Sequence, residues 1–404
     1  MSAARSLRAL RGAFCAGAAV VALAAPAMAE DVKIGALFEV TGPIANFIPP
    51  LLDSVKLAVD QVNEQGGILG GKLSFVVADT QGTPQGAIDA ATKLVNVEGA
   101  NIVVGALTSG GTIAAAQSVV IPAGIPMVSP TATAPSITGL DDGDMVFRLV
   151  PSDSYQGLVL AKLLMDKGLD RVALTYANND YAVGIAETFR EAYKKLGGTL
   201  TADQVHEEKK PSYRSELATL AQGEPEALVL IAYAGDSGVT IIRQSLENGF
   251  FKQFVGTDGL RDNLLIEQIG ADNLGPILFT SPSSPPGTTA GAKFEKAYGS
   301  TEGKLFAQQV YDAAFLAALA VEAAGSTDRK AVRDALRKVA NSPGEVIEPG
   351  EWQKAVELIK AGKDIDYVGA SGPIEFDEKG DVPGVIGQFV IENGAYKEVG
   401  IITP

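Results

Sequence analysis

Short runs of consecutive apolar residues alternate along this chain with longer stretches in which apolar side chains recur every three or four positions. Val32–Phe38, Leu73–Val77, Ile102–Leu107 and Met127–Ser129 are of the first kind. Continuous apolar runs of that length predict strands buried on both faces. Between them the helical period appears over Ser54–Val62, then from Thr83-Pro84 with Ala87, Ala91, Leu94 and Val95 on one face. It returns with Ile113, Ala116, Val120 and Ile121 inward, ending near Gly124. Thr83-Pro84 places a capping hydroxyl before a proline that starts a helix. These βα units predict a parallel sheet covered by helices on both sides.

The same grammar begins afresh at Asp153. A helix over Gln156–Lys167 and a strand over Val172–Tyr176 come first. A helix over Gly184–Leu196 follows, with Ile185, Phe189, Ala192 and Leu196 inward, and then a strand over Leu228–Ala232, a helix ending at Asn248-Gly249, and a strand over Phe254–Gly256. Turn residues cluster at Ser281-Pro282-Ser283-Ser284-Pro285-Pro286-Gly287, after which helices resume over Ala292–Tyr298 and Phe306–Ala324. Those helices need a sheet to cover, so the chain is expected to return to an earlier lobe and to pass between two α/β lobes more than once. No repeat of about 20–50 residues is visible.

Residues 1–29 depart from this pattern. Arg5, Arg8 and Arg11 precede an apolar run from Ala13 to Ala25, and Ala27-Met28-Ala29 stands just before Glu30. Charged, apolar and small residues in that order read as an export signal cut after Ala29, the apolar run being too short to span a bilayer. Cys15, the single cysteine, would leave with it, and Phe14 before it is a poor match to a lipoprotein processing site. The remaining 404 − 29 = 375 residues carry 33 − 3 = 30 basic and 48 acidic side chains, a formal charge of −18. Such a surface repels phosphate backbones and argues against nucleic acid as a partner. One histidine and no cysteine exclude zinc sites of paired Cys and His, thiol catalysis and a disulfide framework.

Nothing in the chain resembles a catalytic motif in the right context. Gly66-Gly67-Ile68-Leu69-Gly70-Gly71-Lys72 fits GxxxxGK but connects a helix to a strand, the reverse of a phosphate loop, and reads as a helix stop with a turn. A Ser-His-Asp site would have to use His206, in the polar run Asp203–Lys210, which reads as a solvated surface histidine. A hydrolase built on Ser109 or Thr133 with Asp258 lacks a base. No enzyme, cofactor or metal is expected.

In open α/β sheets ligands settle beyond the carboxyl ends of the strands. Here those ends carry Thr108-Ser109-Gly110-Gly111-Thr112, Pro130-Thr131-Ala132-Thr133-Ala134-Pro135, Asn178-Asn179-Asp180-Tyr181 and Thr257-Asp258-Gly259. Each alone is compatible with capping or turn chemistry. Together, the first lobe offers hydroxyls and helix-start amides for an anion, and the second offers Tyr181 and the Asp258 carboxylate for a cation. A zwitterion would be held between them.

At these residues the chain resembles the periplasmic branched-chain amino-acid (leucine/isoleucine/valine) binding proteins of ABC transporters. The likeness runs over Ile34-Gly35-Ala36, Thr41-Gly42-Pro43, Val62-Asn63, Gly66-Gly67-Ile68, Gly105, Ser109, Thr131-Ala132-Thr133-Ala134-Pro135 and Phe376-Asp377-Glu378-Lys379-Gly380-Asp381. It implies a type I periplasmic binding protein fold: two α/β lobes with central, mostly parallel sheets joined by a three-strand hinge. Crossovers are implied near residues 151, 280 and 388, giving a first lobe of 30–151 plus 281–387 and a second of 152–280 plus 388–404. The resemblance also implies that Ser109, Thr131 and Thr133 take the ligand's carboxylate and part of its ammonium. Tyr181 and Asp258 would approach from the second lobe, with Phe47, Leu107 and Phe306 lining the side-chain pocket. Either Tyr233 or Asp236 would point at the cleft. Asp258 stands where the family often has Glu, and Thr108 and Gly82 stand where some members have a disulfide. The implied function is capture of a branched-chain or other small apolar amino acid, and its delivery by a periplasmic monomer to an inner-membrane ABC permease. The same fold could instead bind an amide, a short aliphatic acid or an aromatic carboxylate, or serve as a ligand sensor.

Overall fold

The computed structural model describes residues 30–275 and 277–402; the expected export signal, with Cys15, lies outside the described residues. The first sheet comprises β1 (Glu30–Phe38), β2 (Gly70–Asp79), β3 (Ile102–Gly105), β4 (Met127–Ser129) and β5 (Val146–Arg148), in the order β2-β1-β3-β4-β5. Every pairing in it is parallel. The second sheet adds β6 (Arg171–Ala177), β7 (Thr199–His206), β8 (Ala227–Ile231), β9 (Phe254–Gly256) and β10 (Leu278–Ser283), then β14 (Val385–Glu392) and β15 (Ala395–Ile402). Its order is β15-β14-β10-β9-β8-β6-β7, parallel except where β14 meets β10 and β15. A small third sheet is formed by β11 (Glu345–Ile347), β12 (Ile365–Gly369) and β13 (Gly372–Pro373).

The apolar strands bury both faces, as their composition requires: all four residues of β3 and all five of β8 are buried. One core cluster unites residues from Val32 to Val150 with residues from Phe294 to Val382, around the buried helix Ala307–Ala324. Another unites residues from Leu160 to Phe279 with Phe389 and Tyr396. A third lies under the other face of the first sheet. Among the described residues, no helix is long and apolar enough to cross a membrane.

Four local expectations are corrected. β7 is a strand where the sequence reads as a polar run, because it lies at the sheet edge and keeps one face wet. His206, at its end, is buried rather than solvated, with Nδ1 2.8 Å from Thr175 Oγ1 and Nε2 2.9 Å from Ser237 Oγ. The helical run from Ser109 contains a π segment at Ala116–Val120, which rotates its face so that Ala115, Ala116, Val119 and Val120 are buried while Ile113 and Ile121 are only partly so. Leu196, read as inward, caps its helix and is 50% exposed.

Candidate functional site

The carboxyl ends of the two sheets face each other across a narrow cavity. It is lined by Ile44, Phe47, Leu51, Leu107, Ser109, Thr131, Thr133, Tyr181, Tyr233, Asp258, Gly259 and Phe306. The walls touch beyond it. Asn46 Nδ2 lies 3.5 Å from Asp262 Oδ1, and a Cβ on Gly235 would stand 2.2 Å from Pro43 O. The lips have therefore closed to where only glycine fits.

The first wall is built by turning the chain sharply after β3. At Gly105, φ is +119° and a Cβ would stand 2.1 Å from Leu37 O, so only glycine permits the turn. The loop it launches is held by Glu39, which is fully buried. Its carboxylate accepts from Leu107 N and Thr108 N, each at 3.1 Å, and from Thr108 Oγ1 at 2.8 Å. The loop is thus tied by a buried carboxylate. Thr108 caps the following helix through Gly111 N, leaving the amides of Ser109 and Gly110 without protein partners among the described residues. Unpaired first-turn amides beside hydroxyls are suited to a carboxylate.

The loop after β4 is stitched to the first. Thr131 Oγ1 donates to Leu107 O at 2.6 Å, and Ser109 Oγ accepts from Ala134 N at 3.2 Å. Beneath it lies Arg148, which is 0% exposed. Its Nη1 donates to Thr133 O at 3.1 Å and Ala134 O at 3.0 Å, while Nε and Nη2 grip Asp381 at 2.6 and 2.7 Å. The motif ending in Asp381 thus supports the site from outside it. At the apolar end, Pro49 and Pro50 start the helix Ile48–Glu64, which supplies Leu51, with Phe47 at its cap. Phe306 caps the helix Ala307–Ala324 in the left-handed region at φ +65°.

The second wall is acidic and aromatic. Tyr181 Oη lies 2.6 Å from Thr257 Oγ1, donates to Asp258 Oδ1 at 3.1 Å and accepts from Gly259 N at 3.1 Å. Tyr233 stacks on Tyr181, with ring centroids 5.1 Å apart. Gln156 Nε2 also donates to Asp258 Oδ1, at 2.9 Å. Burial pushes the Asp258 carboxyl up, against the opposing hydrogen bonds from Gln156 and Tyr181. Burial, with Asp258 next, also holds the Tyr181 hydroxyl well above its ordinary range, so it acts as a neutral donor and acceptor.

Nine of the ten residues proposed from sequence line this one cavity; Asp236 does not. It accepts from Lys209 N at 2.9 Å, and burial followed by Glu208 pushes its carboxyl up to about 7. Of the pair left open, it is Tyr233 that meets the cavity. Sequence reasoning missed Glu39, Arg148, Asp153 and Gln156, all fully buried and set behind the lining. The sequence marks Asp153 only as the point where the second run of βα units begins, and an acid in a helix's first turn carries no further signal.

Two α/β lobes with a cavity between the ends of their sheets, apolar at one end and polar at the other, have the architecture of a solute-binding protein. The chain belongs to the periplasmic binding protein family, whose model matches residues 31–354. It is 32% identical over 322 residues to a Leu/Ile/Val-binding protein, BraC3, of Rhizobium johnstonii, covering 78% of this chain and 85% of the relative. A branched-chain amino acid transporter substrate-binding protein, LivJ, of Streptococcus pneumoniae, solved with isoleucine, superposes with a TM-score of 0.76 at 27% identity, covering 93% of this chain and 100% of that one. An R. palustris solute-binding protein of an ABC transporter, solved with benzoate, shares the fold at 19% identity and a TM-score of 0.74, covering 93% of this chain and 97% of that one.

Proposed function

We propose that this protein captures an amino acid with a small apolar side chain, branched-chain by preference, and hands it to an inner-membrane ABC permease. The observation that carries this is the distribution of polarity in the cavity between the carboxyl ends of the two sheets. The free amides of Ser109 and Gly110 and the hydroxyls of Ser109 and Thr133, with Thr131 beside them, face a carboxylate at Asp258, with Phe47, Leu107 and Phe306 at the apolar end. The ligand's carboxylate meets the first wall, its ammonium meets Asp258 and Tyr181, and its side chain meets the apolar end. Contact with both walls is what favours the closed form, since a ligand shifts an equilibrium only by its differential affinity for the two states. The likeness to Leu/Ile/Val-binding proteins supports the same reading.

The proposal includes a lobe division of 30–151 plus 281–387 against 152–280 plus 388–404, a hinge of three crossovers, and export to the periplasm through the signal at residues 1–29. The protein acts as a monomer and catalyses no reaction. A second reading, capture of an aromatic carboxylate, is favoured by the benzoate bound to the R. palustris protein. Thermal-shift and calorimetric titration with leucine, isoleucine, valine, benzoate and aliphatic amides separates the two, because binding to the folded state raises its melting temperature. Leucine, isoleucine or valine is expected to give the largest shift; a shift from benzoate alone would replace the first reading by the second.

A further inference from the structure

Behind Asp258 the site holds a second carboxylate. Asp153 opens the helix Asp153–Asp166 and is 0% exposed. It lies three residues from Gln156, hence on the same helix face, and Gln156 is bonded to Asp258. Among the described residues, five buried side-chain polar atoms lack a hydrogen-bond partner, and three belong here: both Asp153 oxygens and Gln156 Oε1. The groups that face Asp153 do not remedy this. Arg148 is engaged by Asp381 and by the Thr133 and Ala134 carbonyls. The Thr133 hydroxyl is near enough to stabilise the charge in part but does not meet hydrogen-bond geometry. Tyr181 already donates to Asp258, and Tyr233 stacks on the Tyr181 ring. Arg261 faces Asp258 but is seated on Phe389, 3.6 Å from the ring centroid, with Nη1 donating to Ser281 Oγ.

Buried acceptors require donors, and neighbouring buried carboxylates resist carrying two charges unless a cation joins them. A proton on Asp153 meets both demands, giving the cluster an O–H donor and removing one charge. We propose that Asp153 sets the charge of the site: it holds a proton while the cleft is unliganded, and an arriving ammonium group takes over that positive charge. The Asp153 O–H bond breaks, the proton passes to solvent, and the carboxylate remains to balance the ligand. Burial, followed by the neighbouring Asp258, pushes the Asp153 carboxyl well above the usual range, in keeping with that state. The inference rests on the reading that the ligand carries an ammonium. It deepens that reading into selectivity, because a ligand without a cation leaves the proton in place.

The test is calorimetric titration of the mature protein with leucine, isoleucine and valine between pH 5.5 and 8.5, in buffers of differing protonation enthalpy. The expected result is a binding enthalpy that varies with the buffer as for release of a proton. Affinity should rise with pH by up to about tenfold per unit while Asp153 is protonated in the free protein. In Asp153→Asn, which keeps the shape but cannot release the proton, both dependences should vanish. Asp236→Asn controls for a raised carboxyl that does not line the cavity. Binding with no buffer dependence and a flat pH profile in the unmodified protein overturns the inference while leaving the proposed function standing. Loss of the dependence in Asp236→Asn with retention in Asp153→Asn also overturns it. If none of the three amino acids binds at any pH, both readings fall.

Discussion

The two walls of the cavity solve opposite problems. On the first, the polar groups are largely spoken for: Glu39 is satisfied by three donors, Thr131 by Leu107 O, and Arg148 by a carboxylate and two carbonyls. What remains free is a small set of hydroxyls and amides at Ser109, Gly110 and Thr133. On the second, Asp153 and Gln156 leave three acceptor atoms unmatched behind an acid that is itself 95% hidden from solvent, Asp258 being 5% exposed. A satisfied wall is preformed and stays the same whether or not ligand arrives. An under-satisfied wall carries a desolvation cost that a cation offsets. The difference teaches how the two walls differ as partners for a ligand: the first offers a preformed shape, the second an unmet charge that a cation would offset.

The largest effect should come from breaking what makes the first wall rigid. Arg148→Met removes the guanidinium and leaves Asp381 and the carbonyls of Thr133 and Ala134 without their donor. Loss of one partner from such a buried network costs about 3–5 kcal/mol, and a denaturant titration should show a loss of that order. Stability unchanged within error would mean the wall is held by something else. Next comes the second wall. Asp258→Ala should weaken amino-acid binding by about 2–5 kcal/mol, tens- to thousands-fold. Denaturation stability should change little or rise, since a buried, strained charge is removed. Unchanged calorimetric affinity would sink the assignment of Asp258 to the ammonium.

The third effect is comparable at its upper limit but confined to acid pH. His206, under the second wall, is held neutral by burial, which lowers its pKa from 6.5 to about 4. Above pH 6.5 both folded and unfolded chains hold it neutral and it contributes no pH dependence. As pH falls from 6.5 to 4 the unfolded chain takes up a proton that the folded chain refuses, so stability falls, by up to about 3 kcal/mol. Asp153 and Asp258, whose carboxyls are raised, act in the opposite sense and favour the folded state as pH falls. The measurement is therefore the difference between the unmodified protein and His206→Gln across pH 4–7. That difference should grow toward acid, and a constant gap would mean the imidazole takes up its proton at the same pH in the folded chain as in the unfolded one.

Legibility in the sequence divides along the same line as the walls. The strands declared themselves because both faces of β3, β4 and β8 are covered and so nearly every residue is apolar. The cavity lining followed from the rule that sheets present their carboxyl ends, which put Ser109, Thr131, Thr133, Tyr181 and Asp258 on loops by position alone. The support behind the lining was not legible. Arg148 is joined to Asp381 across 233 residues, and Gln156 to Asp258 across 102, contacts that no local pattern encodes. β7 was missed for a different reason: at a wet edge its alternation mixes Thr, Asp and Gln with Leu and Val and resembles a loop. The family resemblance leaves Tyr233 and Asp236 as alternatives, because the match around Tyr233-Ala234-Gly235-Asp236 is ambiguous by one residue. The π segment Ala234–Gly238, which starts at once after Tyr233, turns Asp236 toward Lys209 instead.

The smallest effect is also the sharpest probe of the contrast. Ser109 Oγ accepts from Ala134 N, so its own hydroxyl proton is uncommitted to any protein group among the described residues. Ser109→Ala removes both that donor and the acceptor for Ala134 N, each in a wall otherwise held by Glu39 and Arg148. If the wall is preformed, the alanine variant should keep its loop geometry and lose about 1 kcal/mol of binding, the net worth of one hydrogen bond, or roughly fivefold in affinity. The loss should fall on carboxylates in general, so leucine and benzoate, if both bind, should weaken by similar factors. Asp258→Ala should penalise the amine-bearing ligand alone. A Ser109→Ala variant that loses as much affinity as Asp258→Ala would show that the first wall is not independent of its ligand, and the division of labour between shape and charge would not hold.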